Sequence, residues 1–432
     1  MSFEDEEYRA AQAAAGGDWQ SLLRKSDKGI IKPTMQNAYL LVKHGLRGFQ
    51  WLAFDEFVGE PVCGQDVPWQ RRQRTWSDHD ALQARLMIDS AFGTDLGTQL
   101  VHDAVEAVAA ENAYHPVRQY LQGLVWDQEP RIDFWLRHYL KADAEKGGDC
   151  RLYLSRAGAW WLIGAVARVM QSGCRMDNVL ILEGAQGAYK STALSILGGE
   201  WFLDTPIVIG DKDAYQALRG KWIVELAELD SLNKAESTKA KAFFSSPNDT
   251  YRPSYGRRPV DVPRQCVFSG TTNEESYMRD GTGNRRYWPV DVKSIRRDEL
   301  RRDRDQLWAE TYARYLEGAR WWPEGEEREA FETQQTLRLI PDPWEAAIAL
   351  WLAKPEIATQ VRTEGVTTFQ ALRDGADVEV GRMDERAQQM RVAKAFRALG
   401  LQKRESKAAR KTGSRYVYVR VADETDDEGR DW

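Results

Sequence analysis

A glycine-rich string between an apolar run and a helical pattern is the part of this sequence that best fits a defined chemistry. The apolar run at residues 178–183 leads into GAQGAYKST at 184–192, and the TALSILGG pattern after it is typical of a helix. In a strand–turn–helix arrangement, backbone N–H groups of the turn and of the helix N-terminus surround a bound phosphate. Lys190 would reach the terminal phosphates and Ser191 would hold Mg²⁺. We therefore predict an ATP site formed by Gly184, Gln186, Gly187, Ala188, Tyr189, Lys190, Ser191 and Thr192.

One residue of this string departs from the GxxxxGK[ST] pattern. Tyr189 stands where the pattern has glycine, and a side chain there restricts the backbone beside the phosphate. Two alternatives therefore stay open: a degenerate loop that binds nucleotide without hydrolysing it, and an incidental glycine-rich turn.

Acidic and amide residues follow two later apolar runs. An ATPase needs a carboxylate at the tip of a neighbouring strand to hold Mg²⁺ and orient the attacking water. KWIVELAEL supplies Glu225 and Glu228, of which we favour Glu228 as the main acid with Glu225 as its partner. The alternative is that whichever of these two glutamates is not catalytic forms an ordinary salt bridge. RQCVFSGTTN ends in Asn273, which is predicted either to sense the terminal phosphate or to serve as a turn residue.

Two arginines precede an aromatic strand pattern in GTGNRRYWPV. Positive charge must neutralise the phosphate in the transition state, and a neighbouring subunit can deliver it. Arg285 or Arg286 is our candidate for such an arginine finger, and two exposed arginines without a special role are the alternative.

Basic residues are concentrated in two other segments. The stretch between the acidic strand and Asn273 reads as a hairpin with cations and an aromatic, which suit DNA phosphates and base stacking. A second basic run lies near the C-terminus. Solvated surface is the alternative for both segments. The predicted nucleic-acid contacts are Arg252, Tyr255, Arg257 and Arg258 in the first segment and Lys403, Arg404, Lys407, Arg410, Lys411 and Arg415 in the second.

The patterns around these residues predict several parts of the chain. Alternation of strand-like and helical runs indicates an α/β core with a mostly parallel sheet. Helical periodicity predominates before it, and two helices followed by a short β segment after it suggest a winged helix. The predicted parts are a flexible tail (1–27), a mainly helical N-terminal domain (28–145), the P-loop core (146–335), a winged-helix-like domain (340–421) and an acidic disordered tail (422–432).

Composition narrows the class of protein further. The formal net charge of −6 argues against coating of nucleic acid by bulk charge, so any DNA contact must be local. The four cysteines, at positions 63, 150, 174 and 266, have no CxxC spacing, and we expect free thiols in a reducing compartment. Without a long apolar run or a cationic leader, we expect a cytoplasmic protein.

Taken together, the motifs resemble the virulence-associated protein E family, whose core is similar to superfamily 3 helicases and phage primase-helicases. The resemblance covers residues 28–421 and rests on NAYHPVRQYLQGLVWDQEPRID, LILEGAQGAYKST, KWIVELAELDSL, KAFFSS, YRPSYGRR and FSGTTNEESYMRDGTGNRRYWPV. It implies an AAA+-like, ring-forming, ATP-driven DNA helicase, expected as a hexamer, in replication of a phage or other mobile element.

The resemblance also implies roles for single residues and partners. It assigns residues 184–192 to Walker A, Glu228 with Glu225 to Walker B, Asn273 to sensor 1 and Arg286 to the arginine finger. Its hairpin before sensor 1 would touch single-stranded or forked DNA in the ring channel. Priming would come from another protein, and a separate primase or origin-binding protein is the expected further partner.

Two other functions stay open beside the helicase. One is an origin-binding or scaffold protein that uses ATP as an assembly switch with little turnover. The other is a transcriptional regulator that reads duplex DNA through its C-terminal domain. DNA-stimulated turnover separates the helicase from the switch, and sequence-specific duplex binding by residues 340–421 would favour the regulator.

Overall fold

The chain forms two compact units, Met1–Arg338 and Leu339–Trp432. The computed structural model describes residues 19–46, 52–64, 67, 69–71, 73–209, 211–227, 234–252, 259–278, 284–340, 342–378, 386–406 and 415–420. None of the helices in these ranges combines the length and apolar character that crossing a membrane requires.

The first part of unit 1 combines helices with a small sheet. Ser77 caps one helix through a reciprocal capping box with Asp80, and Gly93 ends that helix in a left-handed conformation. The strand order is β2-β1-β3, with β2 antiparallel and β3 parallel to β1. The elements are α1 (Met35–Leu40), β1 (Leu52–Asp55), β2 (Glu60–Cys63), α2 (Asp78–Phe92), α3 (Thr98–Ala110) and β3 (Ala113–Tyr114).

This part differs in two respects from the sequence-based expectation. The periodicity predicts helices here but gives no sign of the three-stranded sheet. Trp19 and Leu23, inside the segment predicted to be a loose tail, are buried in the apolar cluster that α1, α2 and α3 share. Residues 1–18 of that segment lie outside the described residues.

A second and larger apolar cluster begins with the helices α4 (Pro116–Gly123), α5 (Trp135–Tyr139) and α6 (Arg151–Met170). Nearly all of α6 is buried, as its continuous apolar sequence predicts. Two indole N–H groups link it to the sheet: Trp161 donates to the carbonyl of Phe268, and Trp222 donates to the carbonyl of Ala165. The long helix therefore supports one face of the sheet.

The central sheet has five strands, all parallel, in the order β10-β4-β9-β6-β5. A parallel sheet is covered by helices on both faces, so its strands read as continuous apolar runs. All five residues of β4 are buried. The elements are β4 (Val179–Glu183), α7 (Lys190–Gly198), β5 (Phe202–Leu203), α8 (Lys212–Ala217), β6 (Ile223–Ala227), α9 (Lys234–Ser245), β7 (Asn248–Tyr251), β8 (Val260–Pro263), β9 (Val267–Thr272), β10 (Tyr287–Asp291), α10 (Arg297–Leu316) and α11 (Glu327–Thr336).

Strands β7 and β8 form an antiparallel hairpin outside this sheet. Its base is fixed by Arg264, whose guanidinium donates two hydrogen bonds to Asp249 and a third to the carbonyl of Phe243. The same guanidinium lies over the rings of Phe243 and Phe268. Through these contacts one buried guanidinium links β7, α9 and β9 at the hairpin base.

Unit 2 has its own apolar core. Antiparallel β11 and β12 pair, and Val366 forms a further bridge to Tyr418 on β12. The helix α15 buries Val392, Ala395 and Phe396. The elements are α12 (Pro343–Leu352), α13 (Pro355–Thr363), α14 (Thr368–Gln370), α15 (Arg386–Ala398), β11 (Gln402–Glu405) and β12 (Tyr416–Val419). The predicted acidic tail at 422–432 lies outside the described residues.

Candidate nucleotide site

The glycine-rich loop lies at the carboxyl end of β4, between two neighbouring strands of the sheet. β4 pairs with β10 on one side and with β9 on the other. α7 begins at Lys190, so its free N–H groups face the loop. Gly184 has a φ of 148°, and a Cβ there would lie 2.5 Å from the carbonyl oxygen of Val292. The loop therefore requires glycine at this first position, where the backbone passes closest to its neighbour.

Tyr189 takes the backbone conformation that the glycine of the pattern would take. Its φ is 63° and its ψ is 31°, which is the left-handed region. For a residue with a Cβ this conformation costs about 1–2 kcal/mol. The half-exposed ring is covered by Arg297, whose guanidinium lies 3.8 Å from the ring centroid. A cation–π contact of this kind contributes about 0.5–1 kcal/mol and offsets part of that cost.

The amine of Lys190 bridges the loop and the residue after β9. It donates to the carbonyl oxygens of Gly184 at 2.7 Å and Ala185 at 3.0 Å, and to Oδ1 of Asn273 at 2.9 Å. An ammonium group has three donors, so all of them are used. Burial lowers the pKa of this amine, and the nearby Glu225 carboxylate acts in the opposite direction. The structure thus brings Lys190 and Asn273 together at one point.

Glu225 on β6 lies beside the start of α7. Its Oε1 accepts hydrogen bonds from the hydroxyls of Ser191 and Thr271, each at 2.7 Å. Its Oε2 is buried and has no hydrogen-bond partner among the described residues. A buried carboxylate oxygen without a partner is costly unless a cation or water completes it. Glu228, which we favoured as the main acid, lies outside the described residues.

These side chains fit a magnesium ion that is shared with a ligand. In the described part of the chain, no three His, Cys, Asp or Glu side chains are grouped closely enough to hold a metal alone. Mg²⁺ typically takes one or two carboxylates and completes its shell with water and phosphate oxygens. Ser191 and the free oxygen of Glu225 supply a hydroxyl and a carboxylate of the required kind.

Arg285 and Arg286 lie at the opposite end of the strands from the loop, next to the amino end of β4. The residue after them, Tyr287, pairs with Val179 at the amino end of β4, whereas the loop follows the carboxyl end. Five residues of strand separate the two edges by roughly 16 Å. Arg285 is exposed, and Nε of Arg286 lies 3.4 Å from Asp177 and donates to Ser245 at 2.8 Å. Neither arginine is brought to the loop of its own chain.

The predicted nucleic-acid residues fall in two places. Arg252 is exposed directly after β7, while Tyr255, Arg257 and Arg258 lie outside the described residues. Lys403 and Arg404 are on the fully exposed strand β11, where Lys403 lies over the ring of Tyr416 and Arg415 pairs with Glu405. Lys407, Arg410 and Lys411 lie outside the described residues as well.

Two residues of the site are missed by sequence reasoning. Thr271 shares the Glu225 oxygen with Ser191, and its position two residues before Asn273 in SGTTN could have indicated it. Arg297 gives no sequence signal, because it reaches Tyr189 from a helix that begins more than a hundred residues later.

Comparisons with known proteins identify one family. A family model described as the virulence-associated protein E-like domain matches residues 121–339, just over half of the chain. No curated protein matches the sequence.

Among solved structures, the chain is similar to the apo structure of the NrS-1 C-terminal region (305–718). The identity is 12%, the match covers 81% of this chain and 85% of that chain, and the TM-score is 0.42. An A-form apo structure of the same region matches with 13% identity over 80% and 83% of the two chains and a TM-score of 0.39. Likeness at this level carries no argument about activity.

The stack of Arg297 on Tyr189 leads to a prediction about stability. Arg297→Ala should destabilise the wild type by about 1 kcal/mol more than it destabilises a Tyr189→Gly variant, because glycine removes both the ring and the left-handed strain. Urea unfolding of the four proteins measures this coupling. The four proteins form a double-mutant cycle, in which any effect of removing a cation from the first turn of α10 cancels.

Arg301→Ala is the matched control, because Arg301 lies on the same helix and pairs with Asp298. Its effect should be the same with Tyr or Gly at position 189. An Arg297→Ala effect that is also independent of position 189 would show that the stack contributes nothing to the loop.

Proposed function

Because this chain belongs to the virulence-associated protein E-like domain family, we propose that it is an ATP-driven DNA helicase or translocase. It would form a ring and act in replication of a phage or other mobile genetic element. The observation that carries this proposal is the hydrogen bonding of Lys190 to Asn273, after β9, and of Ser191 to Glu225, in the middle of β6, beside the carboxyl end of β4. Ligands of parallel α/β sheets bind at this edge.

Each residue at this end of the sheet would have a separate role in hydrolysis. Lys190 exchanges its protein acceptors for the β- and γ-phosphate oxygens and neutralises part of their charge. Ser191 and Glu225 would hold Mg²⁺, which when bound neutralises charge on the phosphate oxygens. Asn273, released from Lys190, is free to orient the attacking water or the γ-phosphate. Glu228, three residues after Glu225, keeps its predicted role beside that water.

The architecture supports assignment of the core to the AAA+ and superfamily 3 type. The loop follows β4, which is the first strand of the central sheet in sequence but lies in the interior of the sheet. The strand that precedes Asn273 lies between the strand of the loop and the strand of Glu225. A parallel sheet of this kind positions all three side chains without a dedicated loop for each.

Two surfaces would contact DNA. The β7–β8 hairpin precedes Asn273 in sequence and would present Arg252, with Tyr255, Arg257 and Arg258, to single-stranded or forked DNA. Unit 2 would be a winged-helix-like domain: the bridge at Val366, α14, α15, β11 and β12 follow each other in the order that this motif requires. Its exposed Lys403 and Arg404 would contact phosphates.

The position of the two arginines supports the proposed assembly. Since Arg285 and Arg286 lie at the edge away from their own loop, one of them would serve the loop of a neighbouring subunit. A closed ring, expected as a hexamer, repeats this contact at every interface. We place the protein in the cytoplasm, with a separate primase or origin-binding protein as a further partner.

A second function is favoured by one specific observation. Tyr189 holds a strained conformation at a position where the pattern has glycine, which could slow the movement of the loop during turnover. The protein would then be an ATP-switched DNA-binding scaffold or regulator with little or no hydrolysis.

ATP hydrolysis with and without single-stranded DNA tests the proposed function. We expect DNA-stimulated turnover in the wild type and none above background in Lys190→Ala. Glu225→Gln keeps an oxygen acceptor for Ser191 and Thr271 but removes the charge, so kcat should fall on the order of 100-fold. Glu200→Gln, a change at an exposed glutamate, is the control and should leave kcat unchanged.

The outcomes separate the two functions. Turnover that survives Lys190→Ala would contradict the assigned site. A wild type without turnover that gains it through Tyr189→Gly would identify the switch instead of the motor.

Mixing of inactive subunits tests the arginine finger. Lys190→Ala and Arg286→Ala should each be inactive alone, yet in randomly mixed rings about a quarter of the interfaces combine an intact loop with an intact arginine. Mixed samples should therefore regain DNA-stimulated hydrolysis. The same experiment with Arg285→Ala decides which of the two arginines acts.

Asp177→Ala is the control for a merely structural role of Arg286, because it breaks the same ion pair and keeps the arginine. That variant should stay active. Mixtures that remain inactive with both arginine variants would contradict delivery between subunits.

A further inference from the structure

The segment after β9 is joined to the loop by two separate sets of hydrogen bonds. The first is the amine of Lys190, which connects the carbonyls of Gly184 and Ala185 to Asn273. The second set joins two residues that flank the first set in sequence. They are Glu183, which precedes Gly184, and Tyr277, four residues after Asn273. The hydroxyl of Tyr277 donates to Oε1 of Glu183 at 2.8 Å.

Arg338 completes the second set. Its Nε and Nη2 donate to the Glu183 carboxylate at 2.9 and 2.8 Å, and its Nη1 donates to the carbonyl and side-chain oxygens of Gln334. Its own carbonyl accepts from the backbone N–H groups of Tyr277 at 3.1 Å and Met278 at 3.0 Å. One residue therefore holds both the carboxylate before the loop and the main chain after Asn273.

This cluster, formed by Glu183, Tyr277 and Arg338, is sealed from water. The side chains of Glu183 and Arg338 are 3% and 1% exposed, and Tyr277 is buried. Hydrogen bonds to charged groups are strong in such surroundings, and a partner lost there is not replaced by water. The cluster thus keeps one geometry, whereas Lys190 lies at the ligand-facing side of the loop.

The two sets differ in what happens when a nucleotide binds. All three donors of Lys190 are occupied by protein oxygens, so the amine must give up some of them to bind phosphate. We expect Asn273 to be one of the acceptors that the amine releases. The second set does not involve the amine, so it still joins the segment that carries Asn273 to the loop, beside the pairing of Glu183 with Thr272 in the sheet.

We propose that Glu183, Tyr277 and Arg338 are positioning residues that hold Asn273 in register with the phosphate-binding loop while Lys190 exchanges protein oxygens for phosphate. This inference rests on the proposed ATPase function. It assigns to the cluster a role beyond stability, since a buried ion pair is on average no better for stability than well-packed apolar residues, while it fixes orientation more sharply.

Tyr277→Phe tests the role with the least disturbance, because it removes one hydroxyl and keeps the buried ring. We expect kcat for ATP to fall about tenfold or more, since small misplacements at a reacting centre are costly, with KM changed less than about twofold. Tyr153→Phe is the matched control. The Tyr153 hydroxyl is also buried and donates to the carbonyl of Pro289, on the strand β10. Its loss should lower the melting temperature similarly and leave kcat unchanged.

The effect of Tyr277→Phe on kcat should also depend on the presence of Asn273. In an Asn273→Ala background, Tyr277→Phe should change kcat by less than about twofold, because the residue that it positions is gone. An unchanged kcat in Tyr277→Phe, a fall of the same size in Tyr153→Phe, or full additivity with Asn273→Ala would each overturn the inference. Absence of hydrolysis in the wild type would instead overturn the proposed function, and this inference with it.

Discussion

The site depends on a buried lysine amine whose three N–H groups all need hydrogen-bond acceptors. Lys190 is largely buried, and a buried cation requires a full set of acceptors. The carbonyls of the loop and the amide of Asn273 provide them. Phosphate oxygens meet the same requirement better, because they carry charge. We therefore expect nucleotide binding to replace protein acceptors of this amine by phosphate oxygens. The neighbouring groups are either acceptors that are replaced or groups that keep their contacts.

The parallel sheet explains how residues far apart in sequence come to share this amine. The carboxyl ends of β4, β9 and β6 lie side by side, so the loop, Asn273 and Glu225 meet without long connecting segments. Two buried ion pairs hold segments that lie outside the strands of the central sheet. Glu183 and Arg338 secure the segment after β9 at this edge, and Asp249 and Arg264 secure the base of the β7–β8 hairpin. Neither ion pair involves Lys190, so both can keep their geometry when the amine exchanges protein oxygens for phosphate oxygens.

The sequence predicts the parts of this structure that have local signals. The strand, turn and helix around the loop, the mostly parallel α/β core and the family itself all follow from apolar runs, glycine spacing and motif order. The small N-terminal sheet escapes prediction because its strands have two to four residues and alternate too briefly to show a period. Pairs such as Glu183 with Arg338 escape it because 155 positions separate the partners, and only the fold brings them together. Glu225, ranked second from its spacing, is the carboxylate that contacts Ser191.

The most direct test of this account is a structure of the protein with a non-hydrolysable ATP analogue and Mg²⁺. We expect the amine of Lys190 to contact the β- and γ-phosphates, with its bond to Asn273 and one of its two bonds to the loop carbonyls broken. The free oxygen of Glu225 should lie in the coordination shell of the ion, directly or through water, and the contacts among Glu183, Tyr277 and Arg338 should be unchanged. A bound analogue that leaves the three bonds of Lys190 intact, or that binds away from this loop, would contradict the account.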